Sequence, residues 1–163
     1  MGCDIHLYTE INRGKGWENC DYFCLSNPLD ENPKLHMVEL YGYRNYDLFA
    51  VLADVRNHDN HGYIDSPRGI PEDATEYVKK QYDTWYDDAH SASHFTLKEL
   101  IDYNEEHKPA HNYGGYILDP LIDRLKQRAD DLYFIYNFEW DGCRKEEALK
   151  RAKNIRIVFW FDN

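Results

Sequence analysis

Long apolar runs are missing from this sequence. No stretch approaches the roughly 20 apolar residues that a membrane-spanning helix needs, and the first residues lack the basic region and apolar core of a secretory signal. We therefore expect a cytoplasmic protein with no membrane partner. In that compartment the four cysteines are expected to be reduced: Cys3, Cys20, Cys24 and Cys143.

Basic residues are also scarce. The chain has 19 lysines and arginines against 30 aspartates and glutamates, which gives a formal net charge of -11. Duplex binding needs a basic surface that neutralises phosphates, so this balance argues against general nucleic-acid binding. The acidic residues alternate with lysines and arginines along the chain, which is typical of solvated surfaces.

Large apolar side chains, by contrast, are abundant. Hydrophobic residues make up 42% of the 163 residues, and aromatic residues, including 14 tyrosines, make up 15%. A disordered chain has few such residues, so we expect a globular protein. The length predicts a single domain over residues 1–163 and leaves homo-oligomer formation open.

The order of the sequence patterns predicts an α+β fold. "MGCDIHLYTE" and "WENCDYFCL" read as an antiparallel hairpin, "KLHMVELYGY" as a further strand, and "IRIVFWFDN" as a central strand. About four helices follow from the patterns between them. We predict a small mixed or antiparallel sheet, built from the N-terminal hairpin and the C-terminal strand, with the helices covering one face.

Capping residues indicate where the helices begin. Asn45 or Asp47 lies near the start of "YDLFAVLADVRN" as a possible cap, and Asp119 followed by Pro120 begins "LIDRLKQRADDLYFIY". Two pairs have the spacing of a capping box, Asp73 with Glu76 and Thr96 with Glu99; Pro71 suits the first turn of the former helix. The cap at Thr96 predicts a loop for the preceding residues, which include His90 and His94. "KEEALKRAK" predicts a last short helix.

The first strand places four polar groups on one face. Alternate residues of a strand point to the same side, so Asp4, His6, Tyr8 and Glu10 face away from Cys3, Ile5, Leu7 and Ile11. This polar face is either one wall of a binding site or a hydrogen-bonded cluster. A D-x-H pair at a strand end is also typical of metal-dependent phosphoesterases, although the GD and GNH-type motifs of those enzymes are missing.

Further candidates lie near loops. Arg44, with Asn45 beside it, Arg56 and Arg68 carry planar guanidinium groups that suit phosphate or carboxylate, and the three loops together would form an anion pocket. The alternative is that each arginine pairs with a nearby carboxylate. "DDAHSASH" lacks the glutamate of the HExxH zinc motif, which excludes a zincin, but His90 remains a candidate ligand.

Four blocks resemble a known family. "MGCDIHLYTE", "YRNYDLFAVLADVRN", "PRGIPED" and "DAHSASHFTLKEL" occur in this order within residues 1–100 and resemble largely uncharacterised proteins encoded by tailed phages and prophages. The resemblance implies a phage origin and a location in the host-cell cytosol. The blocks contain the candidate residues above, whereas His94 stands where the family is expected to have an aromatic residue.

Three functions remain open from the sequence. The first is a protein that binds a phosphorylated, nucleotide-like small molecule through Asp4, His6, Tyr8, Glu10, Arg44, Asn45, Arg56, Arg68 and His90. In a phage, such binding would sequester a signal made by host defences. The second is a metal-dependent phosphoesterase in which Zn, Mn or Fe is held by Asp4, His6, Asp54 and His90. The third is a protein that inhibits a host enzyme by direct contact.

Overall fold

The protein has an α+β fold, as predicted, with six strands and four helices that lie entirely within the described residues. A computed structural model describes residues 2–27, 29–107, 117–128 and 149–163. The strands are β1 (Asp4–Asn12), β2 (Trp17–Asn19), β3 (Tyr22–Leu25), β4 (Leu35–Val38), β5 (His90–Thr96) and β6 (Ile155–Asp162). The helices are α1 (Tyr46–Ala53), α2 (Glu76–Thr84), α3 (Leu97–His107) and α4 (Asp119–Arg128).

The main sheet has four antiparallel strands in the order β2-β1-β6-β5. β1 and β6 pair along nearly their whole length, from Asp4 opposite Asp162 to Ile11 opposite Ile155. The prediction of a central C-terminal strand is confirmed. β6 carries β-branched and aromatic residues at successive positions, and this composition suits a strand that is covered on both faces.

Helices cover both faces of this sheet, which corrects the prediction of a single covered face. Ile5, Leu7 and Phe159 pack on one side with the apolar residues of α1, α3 and α4. Tyr8 and Trp160 pack on the other side with Val78 of α2. The reason is visible in β6, where all residues from Ile155 to Phe161 are buried, so neither face can be left in water.

Two predicted helix caps are confirmed. The side chain of Asn45 accepts a hydrogen bond from the Leu48 N–H and caps α1. Thr96 and Glu99 form the reciprocal capping box of α3, because Glu99 Oε2 accepts from the Thr96 N–H at 2.8 Å and Thr96 Oγ1 accepts from the Glu99 N–H at 3.2 Å. α4 begins at Asp119, as predicted.

Two local predictions were wrong. α2 begins at Glu76 with Thr75 as its cap, so Asp73 and Glu76 do not form a capping box and Pro71 is not in the first turn. Asp73 is used elsewhere, since its carboxylate accepts from Arg156 and from the Trp17 indole. The segment before α3 is strand β5 and not a loop, because pairing with β6 supplies backbone partners that no local pattern reveals.

The segment after β2 leaves the main sheet. β3 and β4 pair with each other as a separate two-stranded sheet, so "WENCDYFCL" is not one continuous partner of β1. Buried Asp21 marks the departure, since it accepts hydrogen bonds from the Thr9 N–H, the Thr9 hydroxyl and the Asn19 amide. The four residues of β3 are exposed, including Phe23 and Leu25.

Residues 149–152 are helical and belong to the predicted last short helix. The remainder of that prediction, and the part of the predicted fourth helix beyond Arg128, lie outside the described residues, as does Cys143. Within the ranges that the structure describes, no helix combines the length and the apolar character needed to cross a membrane.

Candidate functional site

An open cleft of about 550 Å³ lies beside the start of α1. Its walls are the segment before α1, the first turn of this helix and the segment that follows its end. The cleft is lined by Tyr41, Tyr43, Arg44, Asn45, Tyr46, Asp47, Arg56, His58, Asp59 and His61. Its size falls within the range of small-molecule sites, and its lining combines three tyrosines with two arginines.

The segment after α1 has an unusual backbone. Asp54, Arg56 and Asn60 all have φ between 54° and 58°, in the left-handed region that residues other than glycine seldom occupy. Asp54 ends α1, and the amide of Asn57 then bonds Asp54 Oδ1 and the His61 carbonyl. These bonds return the chain to the cleft and fix the position of His61.

Arg44 is held in place by Asp4. Its Nε and Nη2 donate to the two carboxylate oxygens of Asp4 at 2.5 and 2.7 Å. These bonds hold the pKa of the Asp4 carboxyl below its usual value. The Arg44 guanidinium also lies so close to Gly2 that a Cβ at this position would collide with it. The polar face of β1 therefore reaches the cleft through Arg44.

Arg56 is the second arginine of the cleft. Its Nη2 donates to Asn163 Oδ1 at 3.4 Å, so it connects the segment after α1 with the end of the chain. It also lies beside Cys3, whose pKa is raised by burial, although the Arg56 charge opposes that shift. Asn163 and Cys3 thus contact Arg56, as Asp4 contacts Arg44.

The three tyrosines differ in their exposure. Tyr41 is buried, and its hydroxyl accepts from the Asn45 amide at 3.1 Å. Tyr43 packs edge-on against Tyr41 and is 66% exposed, while Tyr46 contacts Phe49 and is 36% exposed. Tyr43 and Tyr46 therefore present aromatic surface on which a planar ligand can stack.

Three side chains of the cleft have the chemistry of metal ligands. His61 Nε2 lies 3.2 Å from Asp47 Oδ1, and one ligand atom each of Asp47, Asp59 and His61 lies within 4.8 Å of the others. Asp47 and Asp59 are exposed, and His61 is partly buried. Among the residues that the structure describes, Asp47, Asp59 and His61 form the one cluster of at least three potential metal ligands.

The structure brings some of the predicted site residues together. Arg44, Asn45 and Arg56 line the cleft, and Asp4 contacts it through Arg44. His6 lies next to Asp4 along the same face of β1. Its Nε2 is 3.1 Å from Asp162 Oδ2, and its ring lies 4.1 Å from that of Trp85.

Tyr8 and Glu10 are not available to a ligand, which corrects their assignment to the binding site. Tyr8 packs in the core against Trp160. Glu10 is fully buried, where it accepts from Arg156 Nε and from the Thr75 N–H at 2.7 Å each. The polar face of β1 is therefore divided, since its first half is accessible and its second half lies under α2.

Arg68 and His90 lie apart from the cleft. Arg68 donates to Asp65 and Glu99 and rests over the ring of Phe95. His90 lies on β5 and stacks on Phe161. Both residues are used in contacts between elements of the fold, so they do not join the arginines of the cleft.

The predicted metal set of Asp4, His6, Asp54 and His90 is not assembled. His6 lies opposite Trp160 and His90 opposite Phe161, and consecutive residues of β6 point to opposite faces of the sheet. Asp4 and Asp54 are bonded to Arg44 and Asn57. The four side chains therefore face different surroundings.

Sequence reasoning missed Asp59, His61 and His58, and it treated Asp47 only as a helix cap. The signal was present in "HDNHGY", where His58 directly precedes Asp59 and His61 follows it by two positions. It was ambiguous because a polar loop is expected to carry such residues. Only the return of this loop to the start of α1 places them opposite Asp47.

Comparison with known proteins identifies no relatives, since no family model, no curated protein and no solved structure matches the chain.

Proposed function

We propose that the protein binds a phosphorylated, nucleotide-like small molecule in the cleft beside α1. The observation that carries the proposal is that two arginines and two exposed tyrosine rings line one concave site. Arginine suits phosphate because its planar group donates paired hydrogen bonds, and a tyrosine ring stacks on a base.

The contacts that hold the two arginines in place favour a role in phosphate binding. Arg44 is fixed by both oxygens of Asp4, and Arg56 is connected with Asn163. A fixed side chain loses less conformational entropy when a ligand binds, which strengthens binding without any new contact. The ligand-binding set is therefore Arg44, Asn45, Arg56, Tyr43 and Tyr46, with Asp4 as a positioning residue.

The charge of the whole chain restricts the class of ligand. A net charge of -11 repels extended polyanions, whereas a local pair of arginines still attracts a single phosphate group over a short range. We therefore propose a mononucleotide or a similarly small phosphorylated molecule. The resemblance to phage proteins extends the proposal to sequestration of a nucleotide-derived signal in the cytosol of the host cell.

The test is a calorimetric titration of the purified protein with adenosine, AMP, ADP and a cyclic nucleotide. We expect the phosphorylated compounds to bind and adenosine to bind at least tenfold more weakly. Arg44→Gln and Arg56→Gln should each weaken binding of the phosphorylated compounds at least tenfold, because each removes a charged hydrogen-bond donor.

Arg68→Gln is the matched control, since Arg68, like Arg44, is partly exposed and paired with a carboxylate but lies outside the cleft. It should leave affinity within about twofold. The proposal fails if none of the phosphorylated compounds binds, or if Arg68→Gln weakens binding as much as the two cleft variants do.

A further inference from the structure

The Asp47, Asp59 and His61 cluster has a ligand set suited to a divalent transition metal. It offers one imidazole nitrogen and two carboxylates, a mixture that suits Zn²⁺, Mn²⁺ or Fe²⁺ better than the all-oxygen sites of Ca²⁺. This set also combines aspartates with histidine, but it shares no residue with the Asp4, His6, Asp54 and His90 set predicted from the sequence.

The distances are close to those of a bound ion. Ligand bonds to zinc are about 2.0 to 2.2 Å long, so neighbouring ligand atoms lie roughly 3 to 3.5 Å apart. His61 Nε2 and Asp47 Oδ1 already have this separation, at 3.2 Å. A ligand atom of the exposed Asp59 side chain lies within 4.8 Å of both other ligand atoms.

Two of the three side chains come from supported positions. Asp47 is in the first turn of α1, whose cap Asn45 is bonded to Leu48. The Asn57 side chain bonds both the N–H and the carbonyl of His61 at 2.8 Å. Two ligands from a helix and a clamped loop therefore need little reorganisation to bind an ion.

The charges of the cleft give a second reason for a cation, which rests on the proposed function. Asp47 and Asp59 share the cleft with Arg44 and Arg56, so a phosphate that contacts the arginines also meets two carboxylates. The α1 N-terminus supplies only about half a positive charge. A divalent ion between the carboxylates and the phosphate would remove that repulsion and supply further ligand positions.

We propose that Asp47, Asp59 and His61 bind one divalent transition-metal ion, and that this ion contacts the phosphate of the ligand. The first part stands on the cluster alone, while the second rests on the proposed function. The three protein ligands leave coordination positions for water or for a phosphate oxygen. Arg44 and Arg56 then contact the remaining phosphate oxygens.

The metal is tested first, without any nucleotide. Metal-free protein is titrated with Mn²⁺ and followed by electron paramagnetic resonance, and then with Zn²⁺ by calorimetry. We expect one ion per chain, and at least tenfold weaker binding in His61→Ala and in Asp59→Asn. Asp59 is exposed, so Asp59→Asn decides the outcome if His61→Ala fails to fold.

His58→Ala is the matched control, because His58 lines the same cleft but is outside the cluster. Its affinity for the metal should stay within twofold of the unchanged protein. The proposal is overturned if neither Mn²⁺ nor Zn²⁺ binds stoichiometrically. Equal losses in His58→Ala and His61→Ala would also overturn it, because they would show non-specific histidine binding.

AMP titrations with Mn²⁺ and with a chelator then separate this inference from the proposed function. We expect Asp59→Asn to weaken AMP binding in Mn²⁺ and to strengthen it in the chelator, where only the repulsion is removed. If the affinity for AMP is the same with Mn²⁺ and with the chelator, and is unchanged in Asp59→Asn, the contact between metal and phosphate is overturned and the proposed function stands. Metal binding with no binding of AMP, ADP or the cyclic nucleotide in either condition overturns the proposed function and the contact with phosphate.

Discussion

Arg44 shows how one side chain depends on residues distant in sequence. Its charge is neutralised in part by Asp4, 40 positions earlier, and its guanidinium lies against the Cα of Gly2. Gly2 leaves room for Arg44 because it has no side chain, and even one methyl group at this position would occupy the space of the guanidinium. The geometry of the cleft therefore depends on a residue that does not line it.

Gly2→Ala should displace Arg44 from its position beside Asp4. The end of a flexible side chain moves at little cost, so we expect the midpoint of thermal unfolding to stay within about 2 °C, because surface changes usually alter stability by less than about 0.5 kcal/mol. Binding of a phosphorylated ligand should weaken by threefold or more. Calorimetry and thermal denaturation measure the two effects, with Gly14→Ala as a stability control at a turn away from the cleft.

Unchanged ligand affinity in Gly2→Ala would contradict the role given to this contact. Gly14 has φ 97° and no atom near its added Cβ, so Gly14→Ala is expected to strain the turn without touching Arg44. The pair of variants therefore separates displacement of a side chain from strain of the backbone.

At the scale of elements, α3 is joined to the rest of the fold at its first turn. Glu99 closes the capping box with Thr96 and also accepts from Arg68 Nη1 at 2.7 Å. Burial alone would raise the pKa of Glu99, but the Thr96 N–H and hydroxyl and the Arg68 charge together hold it below the usual value. The segment that carries Arg68 is thereby bound to α3.

The sign of the pKa shift predicts how stability depends on pH. Because the folded pKa of Glu99 is lowered, its contribution is complete above the ordinary glutamate pKa and is lost as pH falls through the folded value. Glu99→Gln keeps an acceptor for the cap but removes the charge that faces Arg68. We expect it to lower the free energy of unfolding at pH 7 and to have little effect below the folded pKa.

Urea denaturation of both proteins at a series of pH values between 7 and 2.5 measures this difference. Thr96→Ala is the companion variant, since it removes the capping side chain, at a cost of about 1 kcal/mol, and leaves the Glu99 charge beside Arg68. A destabilisation by Glu99→Gln that is the same at every pH would contradict a role for the charge.

At the scale of the whole molecule, a buried ion pair joins three segments. Arg156 of β6 donates from Nε to Glu10 of β1 and from Nη1 to Asp73, and the Thr75 N–H donates to Glu10. Arg156 also lies under the Trp17 ring at 3.8 Å. Because the Arg156 and Glu10 side chains are 5% and 0% exposed, loss of either partner leaves a charge in the interior.

Glu10→Ala should therefore destabilise the fold by about 3 to 5 kcal/mol, as expected when one member of a buried pair is removed. The free energy of unfolding from urea denaturation at pH 7 measures this loss. Glu18→Ala is the control, because Glu18 pairs with Arg13 at 3.7 Å on the surface, and such a pair contributes about 0 to 1 kcal/mol. A loss below 1 kcal/mol in Glu10→Ala would show that Asp73 alone is a sufficient partner for Arg156.

Features that depend on neighbours in the chain could be predicted from the amino-acid sequence. The alternation of β1, the cap at Asn45, the box of Thr96 with Glu99 and the apolar run of β6 each fix a local conformation, and each was read correctly. Such features are local because strand alternation and N–H capping depend on residues within a few positions.

Which polar residues contact each other depends on how the sheet and the helices pack. Arg44 could have paired with any of 30 carboxylates, and the fold selected Asp4. The loop after α1 returned Asp59 and His61 to Asp47, while Glu10 was taken into the core by Arg156. Composition and spacing cannot make these choices, because a charged side chain has many partners of equal chemistry and packing of the sheet and helices determines which one lies within reach.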